Sequence, residues 1–188
     1  MATTVSPASF SYVEFDAGTI AALADDLATK IGLGADVPIT IEIDETSALG
    51  HTDLESVDPV HIRTESGALE NPKRLRQFSP EHAADVLGRY LLRAADRRSD
   101  AFADAPSDDD LTLEQRTAWD VHSAGRLDRL GFPVNRQRWR YAFRNRHGFT
   151  DAADVAFEQL WDGEGLSWAD VARISEETAA QNPGPLER

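Results

Sequence analysis

Two short runs of alternating residues restrict the fold of this chain more than any other feature of its sequence. In residues 38–44 every second side chain is isoleucine, and the side chains between the isoleucines are polar. Residues 60–64 alternate in the same way. A period of two is typical of strands that bury one face. The sequence therefore predicts a small sheet covered by helices on one side, with a polar loop over 45–58 between its two strands.

Helical patterns fill most of the remaining chain. Apolar residues recur every three or four positions over 16–31, which predicts a first helix. A second helix begins at Pro80, because a serine followed by proline is typical of a helix start. Residues 112–181 predict only helices, each preceded by a capping residue: Thr112, Asn135, Thr150 and Ser167. The predicted fold class is α+β and predominantly helical, with a small sheet in the N-terminal half and a helical C-terminal half.

The order of these elements predicts two lobes. Residues 1–98 hold the sheet and two helices and form an α/β lobe. Residues 99–111 are rich in acidic and small side chains, including three consecutive aspartates, and are expected to be an acidic linker. Residues 112–181 form a helical lobe. The last residues, 182–188, contain two prolines and a glycine and are expected to be a disordered tail.

Composition excludes several classes of function. The chain has no cysteine, which excludes disulfides, thiolate metal sites and a cysteine nucleophile. No apolar stretch approaches the roughly 18 residues of a membrane span, and the N-terminal residues lack the basic and apolar regions of a signal peptide. We therefore expect a cytoplasmic protein with no membrane partner. The glycine-rich nucleotide-binding motifs are absent from the sequence, so no cofactor is predicted.

Charge is unevenly distributed along the chain. The net charge is −14 at pH 7, yet residues 126–150 hold seven arginines against one acid, a balance of +6 that leaves −20 on the remainder. An anionic surface disfavours general nucleic-acid binding, because phosphate contacts need positive charge. The arginine-rich segment is therefore the most unusual feature for function.

The candidate anion- or partner-binding residues are Arg136, Arg138, Arg140, Arg144 and Arg146. Guanidinium groups bind carboxylates and phosphates through two parallel hydrogen bonds, and neighbouring aromatic rings can stack on them. The alternative interpretation is that these arginines pair with the protein's own excess acids and hold its parts together.

Helical geometry sorts the side chains of the arginine-rich helix. Over residues 135–147, Trp139, Ala142 and Phe143 form the apolar face of a helix with about 100° per residue. Arg146 falls among these apolar residues. An enclosed guanidinium needs a partner, so we expect Arg146 to be largely enclosed and paired.

Two histidine–aspartate pairs are candidate metal ligands. His51 and Asp53 lie in the predicted polar loop, and His82 and Asp85 lie three positions apart on the second helix. Neither pair matches the His-Glu-x-x-His spacing of a catalytic zinc site.

The order helix, strand, strand, loop, helix over residues 16–98 resembles the core of minimal zincin metallopeptidases. In that family the later helix carries His-Glu-x-x-His, whereas here its polar candidates are Glu81, His82 and Asp85. The resemblance implies an atypical or degenerate metallohydrolase with an altered site, and it identifies no catalytic residue in this chain.

A second resemblance involves the helical half of the chain. Helix 112–130, the turn at 131–134 and helix 135–147 resemble a helix-turn-helix with arginines on its recognition helix. Three hypotheses follow. The leading one is a non-enzymatic interaction protein whose arginine–aromatic helix meets an acidic protein, a small anion or another copy of itself. The alternatives are the zincin-like metallohydrolase and a nucleic-acid-associated regulator.

Overall fold

The computed structural model describes residues 3–181 and has the predicted α+β fold. The chain divides between Arg98 and Ser99 into two compact units, called here the N-terminal and C-terminal units. The predicted disordered tail, 182–188, lies outside the described residues. Within residues 3–181, no helix is both long and apolar enough to cross a membrane.

The N-terminal unit contains a four-stranded sheet. Its strands are β1 (Thr4–Ser6), β2 (Ile39–Asp44), β3 (Thr52–Val57) and β4 (Val60–Glu65), in the order β1-β2-β4-β3. Strands β1, β2 and β4 are parallel, and β3 is antiparallel to β4. The alternating isoleucines of β2 are buried, while the residues between them are partly or fully exposed. The sheet therefore buries one face, as its period of two predicts.

Two helices complete this unit. Helix α1 (Ala17–Ile31) begins after Asp16, whose carboxylate accepts the Thr19 N–H at 2.6 Å, and ends at Gly32 with φ 81°. This left-handed conformation suits glycine, which has no Cβ to clash. Helix α2 (Pro80–Arg97) packs against α1 and contacts β3 and β4. Both helix predictions are confirmed.

The structure differs from the sequence predictions in two segments of this unit. Strand β3 occupies the second half of the predicted polar loop 45–58, and a bulge interrupts its pairing with β4 between Leu54 and Ser56. Residues 65–78, for which the sequence predicts a turn-rich basic connection, contain a hairpin, β5 (Glu70–Asn71) and β6 (Arg74–Phe78). None of these three strands shows a clear alternation, because each depends on pairing with another strand rather than on a buried face of its own.

The C-terminal unit is helical. Its helices are α3 (Leu113–Arg129), α4 (Arg136–His147), α5 (Asp151–Asp162) and α6 (Trp168–Ala180). All four follow the predicted caps, and capping boxes are present at the starts of α3 and α6. These reciprocal hydrogen bonds satisfy backbone N–H groups that a helix start leaves without partners.

Aromatic side chains form the core of this unit. Trp119 of α3 lies 5.1 Å from the ring of Phe102 and 5.3 Å from that of Trp168, measured between ring centroids. Phe102 and Leu111, from the acidic segment 99–111 that the sequence suggests as a linker, are both buried in this core. The segment thus contributes apolar side chains to the C-terminal unit.

Helices α3 and α5 approach closely at a glycine. A Cβ on Gly125 would lie 2.1 Å from the Trp161 carbonyl oxygen, far inside contact distance. We expect Gly125→Ala to lower the free energy of unfolding by about 3 kcal/mol, because the helices must move apart. The measurement is urea unfolding followed by tryptophan fluorescence. That signal reports this unit alone, since the four tryptophans are Trp119, Trp139, Trp161 and Trp168.

Gln137→Ala, at an exposed position of α4, is the control for this experiment. It should change the free energy of unfolding by no more than about 0.5 kcal/mol. Equal stabilities for the two variants would contradict the close approach at Gly125.

Candidate functional site

Helix α4 buries one narrow stripe of side chains. Trp139, Phe143 and His147 recur every four residues and are the buried residues of the helix. Asn135 caps its start by accepting the Arg138 N–H at 2.9 Å, and Gly148 with φ 100° ends it. The stripe fixes the rotation of α4, and with it the direction of each arginine.

Two of the predicted arginines pair with α5. Glu158 accepts hydrogen bonds from both Arg136 and Arg140, and Arg136 also lies 3.6 Å from Asp162. The Arg136 guanidinium lies 5.4 Å from the centroid of the Trp161 ring, within the range of a cation–π contact. Internal pairing, the alternative interpretation of the sequence, therefore applies to these two residues.

Arg144 is the third arginine of α4 that pairs with α5. It binds the Asp154 carboxylate through two hydrogen bonds, of which the Nε–Oδ1 bond is 2.7 Å long. The hydrogen bond from Arg144 lowers the pKa of Asp154, and Asp154 raises the pKa of Arg144. Arg144 is thus also engaged within the protein.

Arg138 and Arg146 remain exposed. Among the described residues, neither side chain has a hydrogen-bond or ion-pair partner. The expectation that Arg146 is enclosed and paired is wrong. The buried stripe centres on Phe143, rotated by roughly 50° from the predicted apolar face. His147 occupies the buried place that the prediction gave to Arg146.

Two exposed aromatic rings lie at α4 and directly after its end. Tyr141 is 59% exposed and Phe149 is 64% exposed, and their ring centroids lie 5.9 Å apart in an edge-to-face arrangement. The Arg144 guanidinium lies 6.0 Å from the Phe149 ring. We call Arg138, Tyr141, Arg146 and Phe149 the arginine–aromatic surface. The sequence analysis missed Phe149, although its position directly after the helix-ending Gly148 suggests exposure.

His147 is a polar group in the middle of this unit's core. It is 0% exposed, its Nδ1 lies 3.2 Å from the Phe143 carbonyl oxygen and its Nε2 lies 2.9 Å from Ser175 Oγ. Because a carbonyl oxygen only accepts, Nδ1 carries the proton and Nε2 accepts from the Ser175 hydroxyl. Burial lowers the pKa of His147, while the Phe143 hydrogen bond and the charge of Glu114 oppose this shift.

The candidate metal ligands do not come together in one site. His51 Nε2 is 2.8 Å from Asp53 Oδ2, beside a hollow of about 250 Å³ on the exposed side of the sheet. Asp85 is instead paired with Arg89 at 3.1 Å, and His82 is at the start of α2. Across residues 3–181, no group of three or more histidines, aspartates and glutamates is placed to hold a metal ion.

The helix-turn-helix outline consists of α3 and α4, joined over residues 130–135. Of the arginines on its second helix, Arg136 and Arg140 are committed to Glu158, which leaves Arg138 free near the helix start. Comparison with protein-family models, curated proteins and solved structures found no match.

The Arg144–Asp154 pair generates one stability prediction. Asp154→Asn keeps the size of the side chain but removes its charge and one acceptor oxygen. We expect a loss of about 1 kcal/mol in the free energy of unfolding, a modest value because the carboxylate is 34% exposed. Glu164→Gln, an exposed control in the same unit, should have no measurable effect. Urea unfolding of both variants checks this, and equal losses would contradict it.

The burial of His147 generates a second prediction, on pH. The folded pKa lies below the ordinary value of 6.5, so the unfolded chain binds the proton more readily. Neutral, buried His147 therefore makes its full contribution to the free energy of unfolding above pH 6.5. That contribution is lost as pH falls through the folded pKa. We expect wild-type protein to lose more stability between pH 7.5 and 5.5 than His147→Gln does. A pH dependence of the same size in both proteins, measured by urea unfolding, would refute this.

Proposed function

We propose that this chain is a non-enzymatic interaction protein that binds an acidic segment of another protein through its arginine–aromatic surface. The observation that carries the proposal is that α4 and the residues directly after it expose two free guanidinium groups and two aromatic rings. Interfaces are enriched in arginine and aromatic residues, which supply most of the binding energy at their centres. The partner is therefore a segment that presents both carboxylates and apolar side chains.

The spacing of the free arginines suggests how such a segment binds. Arg138 and Arg146 lie eight residues apart on α4, which places their Cα atoms about 12 Å apart along the helix axis and about 80° apart around it. One phosphate or carboxylate is too small to bridge that distance. An extended peptide with carboxylates four residues apart spans about 13 Å and can meet both guanidinium groups.

The aromatic rings are positioned before a partner arrives. Phe149 is held between Tyr141 and the guanidinium of Arg144, and Arg144 is itself fixed by Asp154. Little side-chain freedom is then lost on binding, which favours affinity. The pairing of Arg144 with Asp154 thus supports the aromatic part of the proposed surface.

A protein partner accounts for this surface better than a nucleic acid does. Two free arginines neutralise few phosphates, whereas nucleic-acid binding requires many such contacts to overcome a net charge of −14. An acidic protein segment needs only local complementarity, since charges further away than about 10 Å are screened by salt.

The test is fluorescence anisotropy with a labelled 12-residue peptide that carries glutamates four positions apart, with leucine and phenylalanine between them. We expect binding at low salt that weakens as salt rises. The double variant Arg138→Glu and Arg146→Glu should weaken it at least tenfold, because both attractions become repulsions. Tyr141→Ala should weaken it about threefold or more.

Controls separate this surface from general electrostatics. Arg173→Glu reverses a third exposed arginine of the same unit and should change the affinity by less than about twofold. A peptide with lysines in place of glutamates should not bind. Loss of affinity that is equal in Arg173→Glu and in the double variant would overturn the proposal. Tighter binding to a duplex DNA of equal length, or concentration-dependent self-association abolished by the double variant, would replace it.

A further inference from the structure

The N-terminal unit has a second concave feature, independent of the proposed function. A hollow of about 520 Å³ lies beside the segments that follow the three parallel strands β1, β2 and β4, and its remaining wall is the hairpin β5–β6. In sheets with parallel strands, ligands bind in crevices outside the carboxyl ends of the strands. The volume is that of a site for a small organic molecule. We call it the sheet-edge hollow.

A buried carboxylate lines the sheet-edge hollow. Glu70 is 8% exposed, and its oxygens accept hydrogen bonds from Ser66 Oγ at 3.1 Å and from the Arg76 N–H at 2.9 Å. Within the described part of the chain, no cation pairs with it. Burying a carboxylate with neutral donors alone is unfavourable until a counter-charge is supplied.

A second carboxylate, Glu45 in the segment after β2, also lines the hollow. Glu45 Oε2 accepts the backbone N–H groups of Ser11 at 2.6 Å and Tyr12 at 2.7 Å, and it too has no cationic partner among residues 3–181. The lining cation, Arg76, is exposed and makes no ion pair with either carboxylate. The hollow therefore presents two anionic groups.

The rim of the hollow is apolar. Tyr12 is 60% exposed and Leu75 is 82% exposed, and both line the opening. Exposed large apolar side chains beside a concavity are typical of ligand sites. A ligand that covered them would need an apolar body next to its charged group.

The backbone around the hollow is closely fixed. Arg76 has φ 65°, a left-handed conformation that a residue with a side chain adopts at a cost, and its N–H is held by Glu70. On the other wall, a Cβ at Gly67 would lie 2.1 Å from the Ala48 carbonyl oxygen. The walls are thus set before a ligand arrives.

We infer that the sheet-edge hollow binds a small organic amine, with its ammonium group at Glu70 and its apolar body against Tyr12 and Leu75. The ammonium supplies the missing counter-charge, and its three N–H donors reach lone pairs that Ser66 and Arg76 leave open. An organic anion would instead face two carboxylates. The site takes a ligand with one positive charge and one aromatic or branched apolar group.

The test is a titration of ¹⁵N-labelled full-length protein with 2-phenylethylamine, followed by amide chemical shifts. We expect saturable shifts at Tyr12, Thr46, Ser66 and Leu75, with a dissociation constant of about 1 mM for so small a probe. The neutral 2-phenylethanol and the anionic phenylacetate have similar shapes and should bind at least tenfold more weakly. Equal binding of amine and alcohol, or shifts centred on His51 and Asp53 instead, would overturn the inference.

Three variants test whether the Glu70 charge and the apolar rim bind the amine. Glu70→Gln keeps an acceptor oxygen but removes the charge, and it should reduce amine affinity about tenfold, to the level of the alcohol. Glu81→Gln, an exposed control on α2, should leave the affinity unchanged. Leu75→Ala, at a position too exposed to affect folding, should reduce it about threefold. Unchanged amine binding in Glu70→Gln would refute the site, and if that variant does not fold, unchanged binding in Leu75→Ala would do so.

Discussion

The pairing of one side of α4 with the acids of α5 determines what the C-terminal unit can present to a partner. Glu158, Asp154 and Asp162 pair with the three arginines that face α5, and the buried stripe of α4 lies against the core. Three acidic residues of α5 thereby decide which arginines of α4 remain free.

The two candidate sites have opposite chemistry. The arginine–aromatic surface is cationic and exposed, and such surfaces suit another macromolecule. The sheet-edge hollow is anionic and concave, and its size suits a small molecule. Each lies within its own unit and depends on a buried or half-buried carboxylate, Asp154 in one and Glu70 in the other. In both units, acids position the groups that would meet a ligand.

Capping residues and regular periodicity made much of this fold predictable from sequence, and strands without a regular alternation escaped prediction. Capping residues such as Thr112 and Ser167 act within one turn, so the helix starts were predicted closely. Strand β3 and the hairpin β5–β6 each pair with a strand close by in the chain, but their residues lack the regular alternation of a strand that buries one face, so periodicity does not predict them. The free arginines were only partly predictable, because His147 is polar yet buried. Its burial turns Arg146 toward solvent.

The bulge in β3 has a consequence for how the chain avoids misassembly. Strand β3 is the last strand of its sheet, so its outer N–H and C=O groups face no further strand of that sheet. Such an edge is a template for a strand from another molecule. The interruption between Leu54 and Ser56, with charged Glu55 at that point, breaks the regular ladder that an incoming strand requires. The irregularity that hid this strand from sequence analysis is thus a safeguard against fibril growth.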